Sequence, residues 1–77
     1  ETKFEYALDR PGYISLKIYD ILGKEVKTLY DGYQLSGLHT EKWFGQDRDN
    51  RIVSSGIYFY QLKHGEDRIT KKMVFDK

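Results

Sequence analysis

Apolar residues recur along this chain at every second position rather than every third or fourth. From Thr2 to Leu8, Phe4, Tyr6 and Leu8 fall on one side and Lys3, Glu5 and Ala7 on the other, as in a strand with one face against a core. Tyr13 to Tyr19 repeats the pattern more cleanly, with Ile14, Leu16 and Ile18 directed inward and Tyr13, Ser15, Lys17 and Tyr19 outward. Pro11-Gly12 supplies a turn between the two. Asp20-Ile21-Leu22-Gly23 starts with a side-chain acceptor and ends in glycine, the chemistry of a tight reversal. The strand expected at Lys24 to Tyr30 therefore runs antiparallel to its predecessor.

Asp31-Gly32 reads as the end of that strand, and Gln34 to Gly37 as a longer connection. A fourth strand is expected over Leu38 to Phe44, with His39, Glu41 and Trp43 on one side and Thr40, Lys42 and Phe44 on the other. Gly45 to Ser55 is polar and dense in turn formers; it reads as a loop with a short extended piece at Ile52-Val53. Alternation resumes from Gly56 to His64, with Tyr58, Tyr60 and Leu62 opposed to Ile57, Phe59 and Gln61. His64-Gly65-Glu66-Asp67 reads as a hairpin turn, and Arg68 to Phe75 as a last strand with Met73 and Phe75 inward. No stretch carries helical apolar spacing over the ~11 residues that would define a helix. Short alternating strands with turn signals every ~8–12 residues imply two stacked sheets. The expected fold is all-β: an immunoglobulin-like antiparallel β-sandwich of about seven short strands, without internal repeat or low-complexity linker.

The 77 residues fall within the range of one domain, so residues 1–77 are read as a single unit that buries only about 60% of its unfolded surface. That leaves little stability for a strained active site. Thirteen basic and twelve acidic residues give a net charge of +1, interspersed along the chain, which argues against nucleic acid as a partner. The nearest basic cluster, Lys71-Lys72 with Arg68, is read as protection of a strand edge. With no cysteine there are no disulfides and no thiolate metal site. No apolar run approaches the ~20 residues of a transmembrane helix, and no signal peptide heads the chain. A start at Glu1 rather than methionine fits a segment of something longer.

Catalytic chemistry is hard to place on these residues. Neither Leu35-Ser36-Gly37 nor Ser54-Ser55-Gly56 fits the Gly-x-Ser-x-Gly elbow that presents a nucleophilic serine. His39 and His64 each lack a second ligand at metal-binding spacing. Asp47 and Asp49 stand at alternate positions like calcium ligands, but Arg51 occupies the place of the third oxygen, so these aspartates are expected to bond their own loop backbone. A glycosidase would need two carboxyl groups across a cleft, and a core this thin offers none. No catalytic residue, cofactor or metal is therefore expected. One surface feature stands out: the outward Tyr13 and Tyr19, about 20 Å apart, with Tyr30, Tyr33 or Phe44, suit either a stacking platform for a polysaccharide or ordinary cross-strand packing.

Taken in order, several of these segments resemble a known family, the C-terminal sorting domain of the type IX secretion system (type A), related to the Ig-like domain of flagellar hook capping proteins. The carriers are Phe4-Glu5-Tyr6-Ala7-Leu8, Gly12 through Asp20, the Asp20-x-x-Gly23-Lys24 turn, Gly37-x-His39-x-x-x-Trp43, Ser55-Gly56-Ile57-Tyr58-Phe59-Tyr60-x-Leu62 and Lys71-Lys72-Met73-Val74. The chain departs from the pattern at Phe44, where the family usually has aspartate before the glycine, at Asn50, where glycine is usual, and at Glu41, where a β-branched residue is common. The resemblance implies a non-catalytic module of a protein secreted by, or displayed on, a Gram-negative bacterium. In this picture the outer-membrane secretion machinery reads the module as an address, while an upstream passenger does the chemistry. Asp20, Gly23, Lys24, Gly56, Tyr58, Lys72, Met73 and Lys77 would carry recognition. The same residues also have structural readings: backbone conformation for Gly23 and Gly56, core packing for Tyr58 and Met73. A spacer or accessory domain of a secreted enzyme is the competing expectation.

Overall fold

The computed structural model describes residues 1–77. Six strands carry the fold: β1 (Thr2–Leu8), β2 (Gly12–Tyr19), β3 (Glu25–Gln34), β4 (Gly37–Trp43), β5 (Gly56–His64) and β6 (Asp67–Phe75). β1 and β4 pair as a two-stranded antiparallel sheet, and the other four form a second sheet in the order β3-β2-β5-β6. The all-β antiparallel sandwich read from the alternation is the fold observed, with six strands. The short extended piece at Ile52-Val53 contributes a single antiparallel bridge, Gln46 to Ile52, rather than a seventh strand.

The core lies between the sheets and is built from the residues whose alternation pointed inward. Ile14, Leu16 and Ile18 are 2%, 1% and 0% exposed, and Trp43 is 1% exposed. Phe4 and Trp43 from the small sheet meet Leu16, Ile18, Val26, Tyr58 and Phe75 from the large one. Tyr60 is half-buried against this cluster, its ring edge-on to Phe4 at 4.8 Å. Tyr6 ties the sheets together at their rim by donating its hydroxyl to Gln34 Oε1 on β3 at 2.9 Å. Burial raises the Tyr6 hydroxyl above its ordinary pKa, and the charge of Glu41 adds to this. Glu41 thus sits on the inward side of β4, half-buried, with His39, which stacks on Tyr6 at 5.6 Å.

Three boundaries differ from the sequence reading. β3 does not end at Asp31-Gly32: Ser15 pairs with Asp31 and Ile14 with Gly32, and the strand continues to Gln34. The turn-forming pair is held extended because β2 offers an uninterrupted ladder opposite it, so tertiary pairing overrides local preference. The added length is taken up by two register shifts, between Leu16 and Lys17 and between Ile18 and Tyr19. The expected long connection from Gln34 to Gly37 shrinks to Leu35 and Ser36. Phe44 lies outside β4, which ends at Trp43, and its ring is 53% exposed.

Candidate functional site

Antiparallel pairing brings separated segments of the chain to one end of the sandwich. The β2–β3 turn, the 44–55 loop, the start of β5 and the end of β6 all meet there, since Tyr19 pairs with Glu25 and Phe59, and Gly56 with Phe75. An open cleft of about 580 Å³ lies between the turn and the loop, bordered by Asp20, Lys24, Glu25, Asp47 and Arg48, with Tyr58 among its walls.

The turn at 20–24 is organised by one carboxylate. Asp20 Oδ1 accepts the backbone N–H groups of Leu22 (3.0 Å) and Lys24 (2.9 Å). The Asp20 N–H donates to the Lys24 carbonyl at 2.9 Å, and the Gly23 N–H to the Asp20 carbonyl at 3.0 Å. Gly23 takes φ +83°, a left-handed conformation that glycine adopts without a Cβ clash.

The 47–51 segment repeats this loop bond for bond. Asp47 Oδ1 accepts the N–H groups of Asp49 (2.9 Å) and Arg51 (3.0 Å). The Asp47 N–H donates to the Arg51 carbonyl at 2.9 Å, the Asn50 N–H to the Asp47 carbonyl at 3.0 Å, and Asn50 takes φ +61°. Asp-x-x-Gly-Lys and Asp-x-x-Asn-Arg are therefore two copies of one five-residue turn facing the same cleft, a repeat missed in the sequence reading. Its signal is present in retrospect: an aspartate, then a left-handed-tolerant residue three positions on, then a cation. The Arg51 N–H, then that of Asp49, hold the Asp47 carboxyl below its ordinary range. Asp47 thus serves its own loop, as its residue neighbours implied.

Two side chains of β3 fasten the second loop to the sheet. Lys27 Nζ lies 3.4 Å from the Asp47 carbonyl and 3.3 Å from Asn50 Oδ1. Glu25 lies 3.6 Å from Arg48 and 3.4 Å from Lys17. The Thr28 hydroxyl, then these cations, hold the Glu25 carboxyl below its usual pKa against some desolvation.

The 44–55 loop folds back over the end of the core. Trp43 Nε1 donates to the Gln46 carbonyl at 2.8 Å, and the Val53 N–H to the Gly45 carbonyl at 2.8 Å. Gly45 has φ +78°, and the Phe75 ring occupies the space a Cβ would need. This position therefore requires glycine, whatever residue precedes it. Tyr58, 8% exposed, packs edge-on to Trp43 at 5.5 Å and donates its hydroxyl to the Ser54 carbonyl at 2.7 Å. Burial, then the charge of Asp20, raises its pKa.

Of the sequence-predicted recognition residues, Asp20, Gly23, Lys24, Gly56 and Tyr58 gather at this end. Met73 pairs with Tyr58 and packs on the core; Lys72 pairs with Phe59; the Lys77 N–H donates to Ser55 Oγ at 3.0 Å. The aromatic residues behave differently. Tyr13 and Tyr33 meet edge-on at 5.2 Å, a cross-strand pair at the opposite end of β2 from Tyr19. Phe44 follows the last residue of β4, in the other sheet. The four are not brought together as one surface.

A family model described as the secretion system C-terminal sorting domain matches residues 2–76. The chain belongs to this family. No curated protein matches it. Such a domain is the C-terminal signal for type IX secretion and marks proteins that are secreted or attached to the surface of Gram-negative bacteria. The family is a sorting signal, not a catalyst, and membership implies interaction with the secretion machinery and with a passenger protein. No helix of the sorting domain is long and apolar enough to cross a membrane. The match spans both sheets of the domain and both loops at the cleft.

Proposed function

We propose that residues 1–77 act as a single folded module at the C-terminal end of a larger exported protein, and that outer-membrane machinery recognises the loop-bearing end of its sandwich. On this reading Asp20, Gly23, Lys24, Gly56, Tyr58, Lys72, Met73 and Lys77 form the recognition surface or hold it in shape, and any catalysis belongs to the passenger. One observation carries the reading: residues 20–24, 56–58 and 72–77, far apart in sequence, converge on that end. Address signals read as folded shapes need such a fixed constellation, because recognition of a pre-formed surface avoids the entropy of ordering a flexible tail.

The test is a periplasm-directed reporter fused in front of residues 1–77 in a bacterium with type IX secretion. Export of the fusion is expected, with loss of export in Lys24→Glu and Lys72→Glu variants whose far-UV circular dichroism and melting temperature stay those of the parent. Retention of the parent fusion in the periplasm would refute the sorting role. Full export of both folded variants would remove recognition from this end of the molecule.

A further inference from the structure

β6 forms a free edge of the four-stranded sheet, and its nine pairs with β5 run without a register shift. The opposite edge, β3, is interrupted by two shifts, which blunt an edge against further pairing. β6 also lacks proline. The two-residue turn makes His64 and Asp67 a mutually hydrogen-bonded pair, and the alternation of an antiparallel ladder follows from it. Ile69, Lys71, Met73 and Phe75 thus turn their backbone groups toward β5. Arg68, Thr70, Lys72 and Val74 turn N–H and C=O outward, with side chains that are all exposed.

A regular edge of this length is a template for another strand, and charge selects which strand. Lys63 stands opposite Arg68, and Lys71 and Lys72 follow along the edge. None of the four forms an ion pair; the ion pairs of the molecule use other residues. The acidic residues of the strand and its flanks lie at the ends: Glu66 in the turn, Asp67 at the first position of β6, where it is engaged by Arg10 at 3.3 Å, and Asp76 beyond Phe75. The middle of the edge therefore repels a second copy of itself while attracting negative charge.

We propose that β6 is a docking edge for an extended acidic segment of another polypeptide, which adds to the sheet as a fifth strand. Docking here goes beyond the export assignment and can fail while the reporter assay succeeds. The probe is a capped ten-residue peptide of alternating glutamate and threonine, added to the isotopically labelled 77-residue chain at low salt. Amide hydrogen exchange at Arg68, Thr70, Lys72 and Val74 is expected to slow about tenfold, with little change at Ile69 and Lys71, which β5 already protects. The same peptide with lysine for glutamate, or with alternate backbone nitrogens methylated, should not protect them. A triple variant, Arg68→Glu with Lys71→Glu and Lys72→Glu, checked for an unchanged β-sheet spectrum, should exchange its preference to the lysine peptide. Absence of protection at about 2 mM peptide, equal protection by the methylated peptide, or protection of these amides by self-association alone would each overturn the proposal.

Discussion

Truncating Trp43 to alanine tests the central packing of this domain. The indole is 1% exposed, lies 5.5 Å from Tyr58 and 5.1 Å from Phe75 ring to ring, and donates its Nε1–H to the Gln46 carbonyl. A buried aromatic of this size removes ~150–250 Å² from water, worth ~4–6 kcal/mol at about 25 cal/mol per Å². Measured truncations of buried aromatics in other proteins cost ~3–5 kcal/mol once the site relaxes. The whole domain has only ~4–12 kcal/mol available, at ~0.05–0.15 kcal/mol per residue. Trp43→Ala should therefore lose ~3–5 kcal/mol and unfold a large share of the population at 25 °C. Trp43→Phe separates the two contributions: it keeps an aromatic ring but leaves the Gln46 carbonyl without its donor, and should cost ~1–2 kcal/mol. Urea denaturation followed by far-UV circular dichroism measures both, since the variants lack the only tryptophan and its fluorescence. A loss under ~1 kcal/mol for alanine would refute the reasoning.

Two of the positive-φ glycines, Gly23 and Gly45, should respond differently to alanine. Gly23→Ala meets open space and should cost ~1–2 kcal/mol for its backbone alone, whereas Gly45→Ala also strikes the Phe75 ring and should cost ~2–4 kcal/mol; equal losses by chemical denaturation would contradict the assigned contact. The repeated turns predict parallel behaviour: Asp20→Ala and Asp47→Ala should lower the melting temperature by similar amounts of a few degrees, and the asparagine variants, which keep an acceptor, should recover most of it. Asp20→Asn should also lower the Tyr58 pKa, because it removes a negative charge that raises it; an unmoved ultraviolet titration of that tyrosine would count against their proximity. Stability should be bounded on both sides of neutrality. Glu25 and Asp47 have folded pKa values below their ordinary 4.5 and 3.8, so the stability they contribute is present above those values and lost as pH falls through the folded ones. Tyr6 and Tyr58 are raised above 10.0, so their contribution is complete below pH 10 and lost as pH rises through the folded values. Melting temperature against pH checks this, with Thr28→Ala expected to move the acid limb; an unmoved limb would remove Glu25 as its cause.

Part of the candidate site was visible in the chain because its chemistry is local. Asp20 and Gly23 announce a tight turn by residue type alone, and the inward face of Ile14, Leu16 and Ile18 follows from a period of two. The second turn at 47–51 carries the same local chemistry, but asparagine in the place of glycine, and arginine in that of lysine, hid the equivalence. Asp31-Gly32 misled for the opposite reason. Its turn preference is real, yet a β2 ladder opposite it holds the pair extended, and such pairing is a property of neighbours rather than of the dipeptide.

Strand period, turn chemistry and the family motifs were determined by the sequence alone, since each depends on residues close together in the chain. Tertiary structure alone decided the rest: that both aspartate turns face one cleft, that Phe75 fills the space beside Gly45, that Tyr13 packs against Tyr33 while Phe44 falls beside the other sheet, and that β6 keeps a free edge in unbroken register. These are consequences of which strands pair and in what register. Pairing joins residues tens of positions apart, and no local preference encodes it.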